Sequence, residues 1–287
     1  MDIGIRERLL STVRNSQDVD GGFTSLSSPD PVHFLSSSQA YRTSFVAAHV
    51  LIALASSRVE GAEDIKEKIA SFLLRQISET GAVNYWARDS IEAKTKPYPD
   101  DLDDTACVIA GLALHDKKIL DGELLGKIVA ALLACEVQPG GPYRTWLISA
   151  DANPVWRDID PTVNAHLAFA LGSIEIDLPG LDDYLSSVLN DQQLQSPYYP
   201  NELSALSALS RRPQGRESAI VGRVLALRNG LTWGNPVADA LALGILLRLG
   251  DVSGSWGSEI EQLARAEQSP APYAFCIDPS QKGVKHF

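Results

Sequence analysis

Two kinds of apolar segment alternate along the chain. In the first kind, apolar residues recur at the i, i+3, i+4 and i+7 spacing of an amphipathic helix, as in Ile65, Ile69 and Phe72. In the second kind nearly every residue is apolar, which predicts helices buried on all sides. These segments cover residues 45–54, 106–114, 163–171, 203–209 and 237–247. The alternation of apolar and polar residues that marks a β-strand is absent from the sequence, so no strands are predicted.

The order of these segments predicts an all-α fold. Amphipathic and buried segments alternate about six times, as expected for helical hairpins closed into a ring with the buried helices inside. An open solenoid would keep a polar face on its inner helices, and these segments have none. We therefore expect a single α/α toroid, or barrel, of about six helical hairpin repeats. It would form one domain over residues 1–287.

The connections that lead into the buried segments are long, spanning residues 15–40, 80–103 and 138–160. Long loops in compact domains usually carry function, and the predicted topology places all of them at one end of the ring. They share a motif in which glycine precedes an aromatic residue. Its members are Asp20-Gly21-Gly22-Phe23, Gly81-Ala82-Val83-Asn84-Tyr85-Trp86, Gly140-Gly141-Pro142-Tyr143-Arg144-Thr145-Trp146 and Gly230-Leu231-Thr232-Trp233-Gly234. Packing between helical layers and contact with a substrate are both open explanations for these aromatic residues.

Composition narrows the class of protein. The net charge of −11 argues against nucleic acid as a partner. Three widely spaced cysteines, Cys107, Cys135 and Cys276, form no CxxC pair and favour reduced thiols in a cytoplasmic protein. The sequence shows neither a signal-peptide pattern nor an apolar run long enough to cross a bilayer. We therefore expect a soluble, cytoplasmic protein.

Four aspartates stand immediately before the second buried segment: Asp100, Asp101, Asp103 and Asp104. A helix cap accounts for one of them but not for four. Clustered like charges and partial burial both raise a carboxyl pKa, which keeps a proton bound near neutral pH. A proton held in this way in an apolar pocket makes a general acid. The cluster is the predicted active site.

A second helix start resembles the first. Asp158-Ile159-Asp160-Pro161-Thr162-Val163 can be aligned with Asp101-Leu102-Asp103-Asp104-Thr105-Ala106, which pairs Asp160 with Asp103. A carboxyl group becomes a stronger acid when nearby donors stabilise the carboxylate that remains. Asp160, Asn164 and His166 are the candidates for this support. A core histidine at His166 and a polar bridge between helices at Asn164 are equally simple explanations.

The segment Asp101-Leu102-Asp103-Asp104-Thr105-Ala106 resembles the DxDDTA motif of class II terpene cyclases, the family of squalene-hopene cyclase and the copalyl diphosphate synthases. The glycine-aromatic loops are similar to the degenerate QW repeats of that family, and Gln17 with Asp20-Gly21-Gly22-Phe23 is the nearest copy. Family members usually have two or more helical domains, whereas this chain has room for one. It most resembles single-domain bacterial meroterpenoid cyclases such as merosterolic acid synthase, which cyclise a prenyl chain carried on an aromatic acid.

The resemblance implies an isomerase in which Asp103 is the proton donor and Asp101 and Asp104 orient and tune it. Protonation of a terminal alkene or an epoxide would start a carbocation cascade along a polyprenyl chain attached to an aromatic acid or a diphosphate. No metal is required for the proton step, and Mg²⁺ is expected only with a diphosphate substrate. The aromatic residues expected to stabilise cations by cation–π contact are Tyr85, Trp86, Tyr98 and Trp233.

Three alternatives remain open. Asp100, Asp101 and Asp104 also satisfy the DDxxD motif of class I, Mg²⁺-dependent terpene synthases, but the partner motif beginning at Asn190 has Leu194 where Ser or Thr is needed. Protein prenyltransferase β-subunits need a cysteine zinc ligand that is missing near Asp239. A non-catalytic toroid that binds lipid or protein is the third alternative. The expected partner is a hydrophobic polyprenyl molecule, with peripheral membrane contact during substrate uptake and the oligomeric state both left open.

Overall fold

The computed structural model describes residues 3–28, 37–57, 59–96, 98–148, 153–190, 194–230, 232–250, 256–260, 276–277 and 285–286. These residues are mostly helical, which confirms the predicted helical class. The chain divides into two compact units, one comprising Met1–Leu26 and Ala40–Leu181 and the other Ser27–Gln39 and Asp182–Phe287. Closure into one ring, the number of repeats and the single-domain organisation stay predictions. Within the described ranges, no helix has both the length and the apolar character needed to span a membrane.

The first unit contains alternating inner and outer helices. Its helices are α1 Ile3–Ser16, α2 Ser44–Ser56, α3 Glu63–Gln76, the short α4 Ile91–Thr95, α5 Leu102–His115, α6 Gly122–Cys135 and α7 Pro161–Ser173. Helix α8, Pro179–Asn190, begins in the first unit and ends in the second. Two 3₁₀ turns, Lys117–Ile119 and Pro154–Trp156, interrupt the connections.

Helix α5 lies at the centre of the first unit. It packs between α2 and α7, and α3 packs against both α2 and α5. Nearly all of α5 and α7 is buried, as their uniformly apolar sequences predict. The three inner helices start at side-chain N-caps, which are Thr43 for α2, Asp101 for α5 and Asp160 for α7. The predicted inner helices of this unit are thereby confirmed.

The glycine-aromatic loops pack closely against outer helices. Gly21 has a φ of +97°, and a Cβ on it would lie 2.1 Å from the Lys68 carbonyl oxygen on α3. Gly81 has a φ of +84°, and a Cβ there would lie 2.7 Å from Lys127 Cβ on α6. Glycine is therefore required at both positions by backbone conformation and by space. In these two loops the motif joins the loop to an outer helix, whereas a Cβ on Gly230 or Gly234 would have no atom within 4 Å.

The second unit contains α9 Glu202–Ser210, α10 Glu217–Ala226 and α11 Pro236–Arg248. Helix α9 packs on both α10 and α11, and α10 also contacts α11. Two short strands, β3 Cys276–Ile277 and β4 Lys285–His286, pair antiparallel. Strand β4 also pairs antiparallel with the end of β1 Thr24–Ser28, with Ser27 opposite His286. The remaining strand, β2 Gln39–Arg42, leads into α2.

Two expectations about secondary structure and burial are wrong. The sequence predicted no strands, but four form within the described ranges, because strands of two to five residues are too short to show an alternating pattern. Helix α11 was predicted to be buried on every side, but Leu247 is 54% exposed. The buried residues of α11 include Ala238, Ala242 and Leu246, and the helix packs against both α9 and α10.

Candidate active site

Asp101 is the N-cap of α5 and fixes the start of this helix. Its Oδ1 accepts a hydrogen bond of 2.7 Å from the backbone N–H of Asp104, and its own N–H donates to the Val83 carbonyl at 3.1 Å. Its Oδ2 is buried and has no hydrogen-bond partner among the described residues. Burial, followed by the charges of Asp104 and Asp103, raises the pKa of Asp101 well above its usual value. A neutral, protonated Asp101 fits this environment.

Asp104 is held by a serine on the neighbouring inner helix. Ser44 Oγ lies 2.6 Å from Asp104 Oδ1 and 2.9 Å from the Asn84 carbonyl oxygen. A hydroxyl has one hydrogen to donate, so it satisfies both neighbours only if Asp104 is protonated and donates to Ser44. Burial is the main cause that raises the pKa of Asp104 to about 7. The hydrogen-bond geometry and the pKa agree that Asp104 is neutral below about pH 7.

Asp103 differs from its two neighbours in accessibility. Its side chain is 14% exposed, whereas Asp101 and Asp104 are buried. Asp103 Oδ1 lies 2.6 Å from Nδ1 of His166, which is buried on α7. The contact between α5 and α7 therefore brings together the two residues that the sequence predicted as proton donor and support. Among the three motif aspartates, Asp103 has the most accessible carboxyl group.

The other two predicted support residues, Asp160 and Asn164, stabilise the start of α7. Asp160 Oδ1 accepts from the backbone N–H groups of Thr162 and Val163. Asn164 Oδ1 accepts from the Tyr143 N–H, and its Nδ2 donates to the carbonyls of Tyr143 and Asp160, all at 2.9 Å. The amide of Asn164 is thus used by the backbone and is not a donor to Asp103. This corrects the role that the sequence suggested.

The two helix starts are related, but in a different register from the sequence alignment. The structural equivalents are the caps Asp101 and Asp160, whereas the sequence alignment paired Asp103 with Asp160. Thr105 Oγ1 donates to the Asp101 carbonyl and accepts from the Val83 N–H, as Asn164 does with Asp160 and Tyr143. The true register is therefore shifted by two residues.

Three of the predicted substrate-binding residues, Tyr85, Trp86 and Tyr98, lie together. The Trp86 ring centre is 4.8 Å from that of Tyr85 and 5.3 Å from that of Tyr98, and Trp86 Nε1 donates to the Lys96 carbonyl. Trp86 and Tyr98 also line a cavity of about 190 Å³. Its other lining residues are Gln76, Ser78, Asn84, Arg88, Ala93 and Asp100. Contact of these aromatic residues with substrate stays a prediction.

Trp233, the fourth predicted substrate-binding residue, belongs to the second unit. Its Nε1 donates to the Val224 carbonyl at 2.8 Å, and the Arg228 guanidinium lies 5.0 Å from its ring centre. These contacts explain its burial by packing within that unit. Its contact with substrate also stays a prediction.

Sequence reasoning missed two residues of the site, Ser44 and His49. Ser44 binds Asp104, and the ring of His49 lies 5.4 Å from that of His166. His49 had a detectable signal, because it is the one ionisable residue in the apolar run 45–54. Ser44 had none, because its partner lies 60 positions away on another helix.

Metal-ligand groups gather at one place in the described part of the chain. His49, Cys107 and His166 each offer a ligand atom, and these atoms lie within 4.8 Å of one another. No second group of three or more such residues is found among the described residues, so Asp100, Asp101 and Asp104 do not converge on a common point. Residues 191–193 of the suspected partner motif lie outside the described residues.

Comparisons with protein-family models and with curated proteins find no match. Solved structures do match, and they include type II terpene cyclases. The type II terpene cyclase MstE from Scytonema, in its apo form, aligns with a TM-score of 0.64 and 18% identity over 92% of this chain and 78% of that chain. A variant of MstE in complex with geranylgeranyl dihydroxybenzoate, its substrate, aligns with a TM-score of 0.60 and 16% identity over 91% and 76%. A protein from Actinoplanes aligns with a TM-score of 0.63 and 17% identity over 91% and 78%.

At these sequence identities the comparison establishes the fold. The resemblance inferred from the DxDDTA motif is confirmed at that level, because the structural neighbours include type II terpene cyclases.

Proposed function

We propose that the protein is a class II terpene cyclase that starts the cyclisation of a linear polyprenyl chain by protonating it. The observation that carries the proposal is the 2.6 Å contact between Asp103 and His166 at the start of α5. The accessible carboxyl of Asp103 stands between two buried ones, Asp101 and Asp104. An acid of this kind at the end of a buried helix suits proton transfer to an apolar substrate.

The proton step begins with Asp103 protonated on Oδ2 and His166 donating from Nδ1 to Oδ1. The proton passes to the terminal alkene, whose π electrons form the new C–H bond and leave a tertiary carbocation. Successive alkenes attack the cation and close the rings. Loss of a proton from the last cation, to a base that is not assigned, returns the proton that was added. The product is an isomer of the substrate, and an epoxide terminus would open in the same way.

The neighbours of Asp103 stabilise the transition state of the proton transfer. Burial raises the pKa values of Asp101 and Asp104, so below about pH 7 these two neighbours add no negative charge beside the carboxylate that develops on Asp103. The His166 N–H stabilises the same carboxylate through a charge-assisted hydrogen bond. Each effect is larger in the transition state than before the transfer, which is the condition for catalysis.

The substrate that we propose is a polyprenyl chain carried on an aromatic acid. MstE, whose fold this chain shares, binds geranylgeranyl dihydroxybenzoate as substrate and merosterolic acid A as product. Tyr85, Trp86 and Tyr98 supply aromatic faces in the first unit for passing cations, worth about 0.5–2 kcal/mol each. A prenyl diphosphate is the alternative substrate.

The class I alternative is less well supported by the geometry. In the DDxxD reading, Asp101 caps a helix and Asp104 binds Ser44, so both carboxylates are committed to protein groups. Asp100 Oδ1 in turn accepts from Asn84. Mg²⁺ requires carboxylate oxygens that converge on one ion, and these three point to separate partners.

Peripheral contact with a bilayer belongs to the same proposal, because the substrate is a lipid. The outer helix α6 exposes Val129 and Leu133, and the latter is 65% exposed. Val137, which follows the helix, is exposed as well. We expect the protein to float with phosphatidylcholine vesicles and the Leu133→Glu variant to lose this binding. Leu74→Glu, at an exposed position on α3, is the matched control and should bind as the unmodified protein does.

The function is tested by incubation with prenylated aromatic acids and prenyl diphosphates, with and without EDTA. A cyclic product that persists in EDTA and disappears with Asp103→Asn supports class II cyclisation. Release of pyrophosphate that EDTA abolishes would instead establish the class I reaction. Absence of turnover with every substrate, from protein that binds polyprenyl chains, would favour the non-catalytic binding function.

A further inference from the structure

We infer that His49, Cys107 and His166 form a binding site for a thiophilic transition-metal ion such as Zn²⁺. They stand on three different inner helices, α2, α5 and α7, and their ligand atoms lie within 4.8 Å of one another. Cys107 and His166 are buried, and His49 is partly buried. The proposed site adjoins the Asp103–His166 pair, but the proton step above does not require it.

The three ligand residues occupy equivalent positions on their helices. Counting from the N-caps Thr43, Asp101 and Asp160, each ligand is the sixth residue after its cap. Because α5 packs between α2 and α7, equivalent positions on the three helices face a common region. The cluster therefore follows from the helical repeat and does not depend on one long side chain reaching across the unit.

The hydrogen bonds of both imidazole rings are those of metal-binding histidines. Nδ1 of His49 lies 3.2 Å from the Phe45 carbonyl oxygen, which can only accept, so the hydrogen is on Nδ1 and Nε2 carries a lone pair. Nδ1 of His166 lies 2.6 Å from a carboxylate oxygen of Asp103. Metal-bound histidines usually donate their second ring N–H to a carbonyl or a carboxylate, which orients the ring. Both kinds of partner are present here.

Two imidazoles and a thiol select the class of ion. Nitrogen and sulfur ligands suit Zn²⁺, Co²⁺ and copper, whereas Mg²⁺ and Ca²⁺ require oxygen ligands. Tetrahedral Zn²⁺ with bonds of about 2.0–2.3 Å needs ligand atoms about 3.3–3.6 Å apart. The three ligand atoms lie within 4.8 Å of one another, so side-chain movements of about 1 Å bring them to these distances. Three protein ligands leave a fourth position for water or a small ligand.

Cobalt spectroscopy tests the site without relying on catalysis. The protein, free of any affinity tag and stripped with a chelator, is titrated with Co²⁺ under reducing conditions. We expect one equivalent to produce a thiolate-to-cobalt charge-transfer band, which one equivalent of Zn²⁺ then displaces. Cys107→Ser and His49→Gln should lose the band. Cys135→Ser, which removes the other thiol described as buried, should retain it.

Asp103→Asn should weaken Co²⁺ binding without abolishing it. Loss of the carboxylate that orients His166 should weaken Co²⁺ binding by about 10- to 100-fold without removing the thiolate band. Circular dichroism confirms that each variant is folded. Absence of a band in the unmodified protein, or a band that survives in folded Cys107→Ser, would overturn the assignment. Both readouts remain valid if no cyclase activity is found, so the two proposals can fail separately.

Discussion

The starts of α5 and α7 are built on the same plan. Each has an aspartate cap, Asp101 or Asp160, that accepts from the first backbone N–H groups of its helix. Four residues later, Thr105 or Asn164 donates to the carbonyl of that cap residue and accepts from the preceding glycine-aromatic loop. These shared contacts hold loop and helix together, so they belong to the scaffold.

The two helix starts differ at the positions between the cap residue and the residue that contacts the loop. The second and third residues after the cap are Thr162 and Val163 in α7 but Asp103 and Asp104 in α5. Thr162 Oγ1 is buried and has no hydrogen-bond partner within the described residues, whereas Asp103 binds His166 and Asp104 binds Ser44. The same scaffold therefore carries, at the start of α5, two carboxyl groups that the start of α7 lacks.

The largest difference between the two helix starts is expected at the second residue after the cap, which is Asp103 in α5 and Thr162 in α7. Asp103→Asn keeps the size of the side chain and an acceptor for His166 but has no acidic proton. We expect cyclisation to fall by about 10²- to 10⁴-fold, with little change in melting temperature. Single-turnover product formation and a thermal melt measure the two effects. Thr162→Val is the matched control, and full activity in Asp103→Asn would refute its role as acid.

The second prediction removes the partner of the acid. His166→Phe keeps a ring of similar volume but loses the N–H that stabilises the Asp103 carboxylate, so the rate should fall by about 10²- to 10³-fold. His166→Asn places an amide N–H near the position of Nδ1 and should recover part of the rate. Equal rates for the two variants would indicate that His166 acts by packing alone.

The third prediction concerns the shared scaffold. Asn164→Ala leaves the N–H and carbonyl of Tyr143 without their side-chain partner and should cost roughly 2–4 kcal/mol in the free energy of unfolding. Thr105→Val removes the equivalent contact to Val83 and should cost roughly 1–3 kcal/mol. Urea denaturation measures both. If either substitution left stability unchanged, the proposed equivalence of the two helix starts would be wrong.

The fourth prediction concerns the pH dependence of stability due to Asp104. Its pKa is about 7 in the folded protein and near 3.8 when unfolded, so folding favours the protonated form. Its stabilising contribution is complete below about pH 4 and is lost as the pH rises to 7, at no more than about 1.4 kcal/mol per pH unit. Asp104→Asn stays neutral and should flatten this slope.

Urea unfolding in EDTA at several pH values measures the slope for the unmodified protein and for Asp104→Asn. Asp101, whose pKa is also raised, contributes in the same direction and remains in the variant. The exposed Asp89 provides the control, and Asp89→Asn should leave the slope unchanged. An unchanged slope in Asp104→Asn would show that this carboxyl is ionised in the folded state.

Local patterns predicted the parts of the site that lie within one helix start. The aspartates that cap and follow the start of α5 are contiguous, and the buried helices are visible in uniformly apolar runs. His166 was predicted as a partner because it follows a related helix start. Its 2.6 Å contact with Asp103, however, depends on how α5 and α7 pack.

The sequence by itself determined the helical class, the buried helices of the first unit and the acidic cluster at the start of α5. Each of these depends on residues close together in the chain, where periodicity and helix capping act directly. Tertiary structure decided which carboxyl is accessible, that Asn164 binds Tyr143 and not Asp103, that Ser44 binds Asp104, and that His49 and Cys107 lie close to His166. Those properties arise from contacts between helices distant in sequence, and burial and hydrogen bonding at such contacts have no local signature.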